Sequence, residues 1–150
     1  MTLTSVESPA EPAERPAGKA LETVIKVFGV VISVVAAILS GFLEIFLSPL
    51  RAGGFPLCVS VVIAVIGNYA IAWFAHTTVG RRWAVAPPWA IWTALMLFAA
   101  GVRTDEGDYL LSGDNWVAMA MILAGSLAYA IFAYRMILKP LTALPPPTRR

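Results

Sequence analysis

The chain has 150 residues, of which 59% are hydrophobic and 13% charged, and its mean hydropathy is +0.76. This composition is too apolar for an ordinary water-soluble domain. The net charge of +2 comes from basic residues spread along the chain, which argues against a nucleic-acid partner. One cysteine and one histidine cannot supply a zinc ligand set or an internal disulfide, so we expect no metal and no cofactor.

The first segment, residues 1–22, is rich in proline and glutamate and lacks apolar periodicity. Such a segment cannot bury enough apolar surface to offset the entropy of ordering it, so we predict a disordered cytoplasmic tail. The first apolar run begins too late and is too long for a signal peptide. We therefore expect the first helix to remain in the mature protein.

Four apolar blocks follow, each long enough to cross about 30 Å of hydrocarbon. Prolines and glycines separate the blocks, because these residues end or begin helices. The third block is the shortest. The sequence thus predicts an all-α membrane protein, a four-transmembrane-helix bundle over residues 23–139 followed by a proline-rich cytoplasmic tail over residues 140–150. The predicted helices span residues 24–47, 56–76, 87–102 and 116–138.

The distribution of Lys and Arg predicts the orientation. Nine of the 11 basic residues lie in the two tails and the middle loop, and two, Arg51 and Arg103, lie in the other loops. The positive-inside rule then places both termini in the cytoplasm and the protein in the plasma (inner) membrane. The loop over residues 103–115 faces outward. We expect it to be a solvated acidic loop, because its acids do not have the spacing of a calcium loop: Asp105, Glu106, Asp108 and Asp114.

Small residues recur every four positions on three helices, a pattern that allows close helix packing in lipid. They are Gly29, Ser33, Ala37 and Gly41 on helix 1, Ser60, Ala64, Asn68 and Ala72 on helix 2, and Ala120, Ala124 and Ala128 on helix 4. Two interpretations remain open. The faces pack against each other in a closed bundle, or they dock onto a larger partner. In the second case the partner interface is formed by Gly29, Ser33, Ala37, Gly41, Ser60, Ala64 and Asn68.

Four polar residues, Glu44, Arg51, Asn68 and His76, lie in or beside the predicted spans. A carboxylate in lipid needs a partner or water, and we predict that Glu44 contacts Arg51 at the outer surface. The alternatives for Glu44 are a proton-coupled site and contact with a partner protein. We expect Asn68 to hydrogen-bond to another helix and His76 to be structural. No nucleophile elbow, phosphate loop or paired intramembrane acids occur, so we expect no catalytic residues and no enzyme.

Three segments resemble small four-helix actinobacterial membrane proteins. They are residues 42–54 (FLEIFLSPLRAGG), 67–73 (GNYAIAW) and 106–116 (EGDYLLSGDNW). The chain is most similar to the lipid-uptake coordinator subunits that accompany mycobacterial Mce lipid importers, over residues 26–139. The resemblance implies a non-catalytic accessory or scaffolding subunit beside the permease and other subunits of an Mce-type ABC transporter that imports fatty acids, in contact with membrane lipids. The alternative is a small proton-coupled multidrug-type exporter that uses Glu44.

Overall fold

The computed structural model describes residues 16–103, 107, 109–111 and 115–138. Four helices in this part of the chain are long and apolar enough to cross a membrane, which confirms the predicted four-helix, all-α architecture. The two tails beyond these residues and the four acids of the loop over residues 103–115 lie outside the described residues. In chain order the elements are α1 (Pro16–Leu47), β1 (Arg51–Ala52), β2 (Phe55–Pro56), α2 (Val59–Val79), a 3-10 helix (Arg82–Val85), α3 (Ala86–Gly101) and α4 (Trp116–Leu138).

Helix α1 begins at Pro16, so the predicted disordered tail over residues 1–22 is wrong for its last part. Proline is tolerated in the first turn, where its missing N–H has no helical acceptor. The residues that follow include strong helix formers such as Lys19, Ala20 and Leu21. One turn further on, Glu22 forms an ion pair with Lys26, which supports the helix at i, i+4 spacing.

A short β-hairpin connects α1 to α2, where the sequence predicted the start of helix 2 at residue 56. Arg51 pairs with Pro56 and Ala52 with Phe55. Gly53 and Gly54 form the turn with φ of 58° and 85°. Two consecutive residues with positive φ are characteristic of a tight hairpin turn, and glycine adopts this conformation without steric cost. Helix α2 therefore starts only at Val59.

Helix α2 ends later than predicted, and helix α3 starts earlier. Gly80 caps α2 in the left-handed conformation and donates its N–H to the His76 carbonyl at 2.8 Å. The 3-10 helix then runs directly into α3. Together they form an apolar stretch of 20 residues, Arg82–Gly101, which gives the shortest predicted span enough length to cross a bilayer. Helix α4 has the predicted bounds.

Asn115 joins the start of α4 to the end of α1. Its Oδ1 accepts the Val117 N–H at 3.2 Å, which caps one of the free N–H groups of the first turn of α4. Its Nδ2 donates to the carbonyl oxygen and to Oγ of Ser48, at 3.2 and 3.1 Å. One side chain thus fixes two helix termini at the same end of the bundle.

The helices pack with α1 between α2 and α3, and with α2 between α1 and α4. Few backbone positions of α3 and α4 approach each other closely, so these two helices meet mainly through large side chains. We call the end that carries the β-hairpin and Asn115 the hairpin end. The opposite end, where α2 and α4 terminate near Arg81, Arg82 and Arg135, is the arginine end.

The small-residue faces of α1 and α2 lie inside the bundle, which supports the closed-bundle interpretation over docking on a partner. A Cβ added to Gly29 would lie 2.6 Å from Thr78 Cγ2 on α2, and one added to Gly41 would lie 2.6 Å from Leu95 Cδ2 on α3. Small side chains at these positions let the backbones approach closely. All seven residues assigned to the partner interface are buried among the chain's own helices: Gly29, Ser33, Ala37, Gly41, Ser60, Ala64 and Asn68.

On α4 a close approach occurs at Gly125, a residue outside the predicted alanine series. Ala128 is buried, whereas Ala120 and Ala124 are only half-buried. A Cβ at Gly125 would lie 2.5 Å from Trp92 Cη2 and 2.7 Å from Asn68 Nδ2. These contacts are closer than real Cβ atoms allow, so Gly125 is required for the packing of both side chains.

Gly125→Ala should therefore destabilise the bundle. We expect a loss of about 1–3 kcal/mol, because the buried Trp92 ring must move to admit a methyl group. Thermal unfolding in detergent, followed by circular dichroism, measures the change. Gly101→Ala is the matched control, since a Cβ there meets no atom within 4 Å. Equal unfolding temperatures for the two variants would contradict the packing described.

Candidate functional site

Glu44 is the buried acid of the bundle and the centre of the candidate site. It lies on the same face of α1 as Ala37 and Gly41, at helical spacing, and this face is turned toward the other helices. Its side chain is 0% exposed. Burying a carboxyl group costs folding free energy unless hydrogen bonds satisfy its oxygens.

Each oxygen of Glu44 accepts one hydrogen bond. Ser40 Oγ, one turn earlier on α1, donates to Oε1 at 2.7 Å. Trp92 Nε1 on α3 donates to Oε2 at 3.0 Å. Trp92 is also 0% exposed, so both ends of this second bond are removed from solvent. The Glu44–Trp92 hydrogen bond therefore fixes α1 against α3 inside the bundle.

The predicted contact between Glu44 and Arg51 is wrong. Arg51 is exposed in β1, and no ion pair joins it to Glu44 within the described residues. The reason is geometric, since the face of α1 that carries Glu44 is turned toward α3, whereas the hairpin holds Arg51 beyond the end of the helix. Sequence reasoning missed Trp92 as the partner. Its indole N–H, well inside an apolar span, requires an acceptor and was the available signal.

Asn68 lies beside this pair but does not form the predicted hydrogen bond to another helix. Its amide nitrogen and oxygen are buried and have no hydrogen-bond partner in the described part of the chain. Its Nδ2 packs against Gly125, which also contacts the edge of the Trp92 ring. Tyr129 completes the cluster, with its ring centroid 6.3 Å from that of Trp92 and its hydroxyl likewise without a partner among these residues.

His76 is part of a different site, at the arginine end. Its ring lies 6.0 Å from that of Phe132 in an edge contact. It lines a cavity of about 690 Å³, which we call the arginine cavity, together with Tyr69, Trp73, Arg82, Phe132, Arg135 and Met136. The structure thus places Asn68 near Glu44, and separates His76 and Arg51 from both.

A second cavity, of about 470 Å³, opens between α3 and α4, and we call it the α3–α4 groove. Trp89 and Ala86 line it from α3, and Ala130 and Ala133 line it from α4. Tyr129 lies along it, and Arg82 and Met136 line both this groove and the arginine cavity. A third cavity of about 400 Å³ lies between α1 and the loop that follows α2.

The chemistry available to Glu44 is limited by its enclosure. Both carboxylate oxygens accept hydrogen bonds from the chain itself, and Glu44 lines none of these three cavities. Within the described residues, no group of three or more His, Cys, Asp or Glu could hold a metal ion. Glu44 therefore forms a hydrogen-bonded contact between helices inside the bundle.

No protein-family model, curated protein or solved structure matches the chain.

Trp92→Phe should destabilise the protein through Glu44. The variant keeps an aromatic ring but leaves Oε2 of a buried acid without its donor, which costs about 1–3 kcal/mol. In a Glu44→Leu background the same substitution should cost much less, because no acceptor remains to be satisfied. A double-mutant cycle of unfolding free energies in detergent measures this coupling.

The control for this cycle is Trp116→Phe, at an exposed tryptophan on α4. It should give the same small change in both backgrounds. Equal losses for Trp92→Phe with and without Glu44 would show that the hydrogen bond does not stabilise the bundle.

Proposed function

We propose that the chain is a multi-pass inner-membrane protein that serves as a non-catalytic accessory or scaffolding subunit of a larger complex. Membrane insertion is supported by the outer faces of the four helices, which expose large apolar side chains along their length. Soluble monomers rarely expose apolar surface on this scale. Examples, one from each helix, are Leu39, Ile66, Leu97 and Leu123, which are 64–69% exposed.

The proposed orientation places the arginine end in the cytoplasm. Arg81, Arg82 and Arg135 lie at this end among the described residues, whereas the hairpin end has Arg51 and Arg103. The positive-inside rule favours the more basic side as cytoplasmic. Both termini then lie in the cytoplasm.

The observation that carries the non-catalytic role is the enclosure of Glu44. A transporter or enzyme must bring its reactive group into contact with a substrate, and binding sites are accordingly concave and accessible. Glu44 is instead 0% exposed and bonded on both oxygens within the chain. This favours a structural role for the acid and argues against the exporter.

We assign the partner surface to the outward face of α1. The small-residue faces are occupied inside the bundle, so a partner must contact the outside. Helix α1 contacts α2 and α3 along a narrow buried stripe that leaves its opposite face exposed, and its 32 residues extend for about 48 Å, more than a bilayer core requires. The sequence resemblance to lipid-uptake coordinator subunits makes the permease of an Mce-type lipid importer the partner that we propose.

Site-specific photocrosslinking tests this surface. A photoreactive amino acid at Leu39 should crosslink to another membrane protein at native expression, because this position lies on the outward face of α1. The same probe at Ile66, Leu97 and Leu123, which are equally exposed, should give mainly lipid adducts. Lipid adducts alone at all four positions would contradict the accessory-subunit proposal.

Glu44→Gln separates this function from proton-coupled export. The amide is close in shape, can accept the Trp92 N–H and can donate to Ser40 Oγ, so we expect the variant to fold and to recover partners as the wild type does. If the protein were instead a proton-coupled exporter, the Glu44→Gln variant should lose transport in liposomes. Proton-driven flux of a lipophilic cation by the wild-type chain, lost in Glu44→Gln, would overturn the proposal.

A further inference from the structure

The arginine cavity contains positive charge that the described chain does not neutralise. Arg82 and Arg135 both line it. The acidic residues within the described part of the chain are Glu22 and Glu44. Glu22 is paired with Lys26, and Glu44 is bonded to Ser40 and Trp92, so neither compensates the two arginines. Two guanidinium groups that share a cavity without a carboxylate favour an anionic ligand.

The other polar groups of the cavity suit the same ligand. Arg135 Nη1 donates to Tyr69 Oη at 3.4 Å, and the Tyr69 hydroxyl has its own proton left to donate. His76 Nδ1 is buried and has no partner among the described residues. Phe132 supports both rings in edge contacts, at centroid distances of 5.4 Å to Tyr69 and 6.0 Å to His76. The cavity therefore presents two guanidinium groups and the Tyr69 hydroxyl, and has no acid among its lining residues.

The α3–α4 groove continues from this cavity as an apolar channel. The two share Arg82 and Met136. At about 470 Å³, and lined mostly by aliphatic and aromatic side chains, the groove has the size and character of a small-molecule pocket. Tyr129 lies along it and is 3% exposed, with its hydroxyl buried and unpaired among the described residues.

We propose that the arginine cavity and the α3–α4 groove together bind one anionic phospholipid. The phosphate occupies the cavity between Arg82 and Arg135, and one acyl chain lies in the groove. The proposal rests on membrane insertion, because the arginine end then lies at the membrane–water interface, where basic pockets between helices bind anionic head groups. It does not depend on the partner or on the orientation.

The charge of the cavity distinguishes this occupant from two others. A zwitterionic lipid places an ammonium group beside its phosphate, and the cavity offers that cation no carboxylate among its lining residues. A free phosphate ion would use the cavity but not the groove. An anionic phospholipid such as phosphatidylglycerol uses both.

Native mass spectrometry of the purified chain in detergent tests the proposal without any partner. Phosphatidylglycerol should bind more tightly than phosphatidylcholine of the same acyl chains. The double variant Arg82→Gln, Arg135→Gln should weaken phosphatidylglycerol binding about tenfold or more. The matched control, Arg51→Gln with Arg103→Gln, removes two arginines from the hairpin end and should leave the affinity unchanged.

A second variant tests the groove. Ala130→Trp places a large ring in the groove from an exposed position on α4, so the fold should tolerate it, and phosphatidylglycerol binding should weaken by a similar factor. Ala70→Trp, at an exposed alanine on α2, is its control.

Three outcomes would overturn the lipid site. They are equal binding of the two lipids, equal losses in the arginine variant and its control, and full competition by inorganic phosphate together with no effect of Ala130→Trp. The last would indicate a free-anion site. Failure to crosslink a partner through Leu39 would leave the lipid result unaffected, so the two proposals fail separately.

Discussion

The hydrogen bond from Trp92 to Glu44 is the interaction on which the arrangement of the helices depends. A carboxyl group in an apolar core has few places that satisfy it, so the bond fixes the rotation of α1 relative to α3. Trp92 can occupy its position only because Gly125 on α4 has no side chain. Asn68 on α2 also lies close to Gly125. One polar contact and one glycine thus bring residues of all four helices together in one cluster.

Many small and polar residues lie inside the bundle, and many large apolar residues lie on its outer faces. This distribution affects which surfaces another protein can contact. Close packing through Gly29 and Gly41 occupies the surfaces that could otherwise have joined a second protein. The broad outer faces of the helices remain exposed. Arg82 and Arg135 are separated from this core and lie at the arginine end, beside cavities that reach between the helices.

Hydropathy was sufficient to predict the four helices, including the bounds of α4, because each apolar block is continuous and ends at turn-forming residues. The β-hairpin was missed because proline at position 56 favours a helix start equally well, and only the paired conformation of Gly53 and Gly54 decides. The partner of Glu44 could not be found from local spacing. Arg51 is near in sequence, but Trp92 is 48 residues away and is brought close only when α3 packs on α1.

The hairpin between α1 and α2 also affects how deeply the protein would lie in a bilayer. Its two strands bond to each other, and Leu57 N–H is bonded to the Leu50 carbonyl at 2.9 Å, so much of this non-helical backbone has no need of water. Phe55 at its tip is 77% exposed. In a bilayer, this exposed apolar ring would favour the hydrocarbon over water, and this preference would limit how far the bundle can shift along the membrane normal.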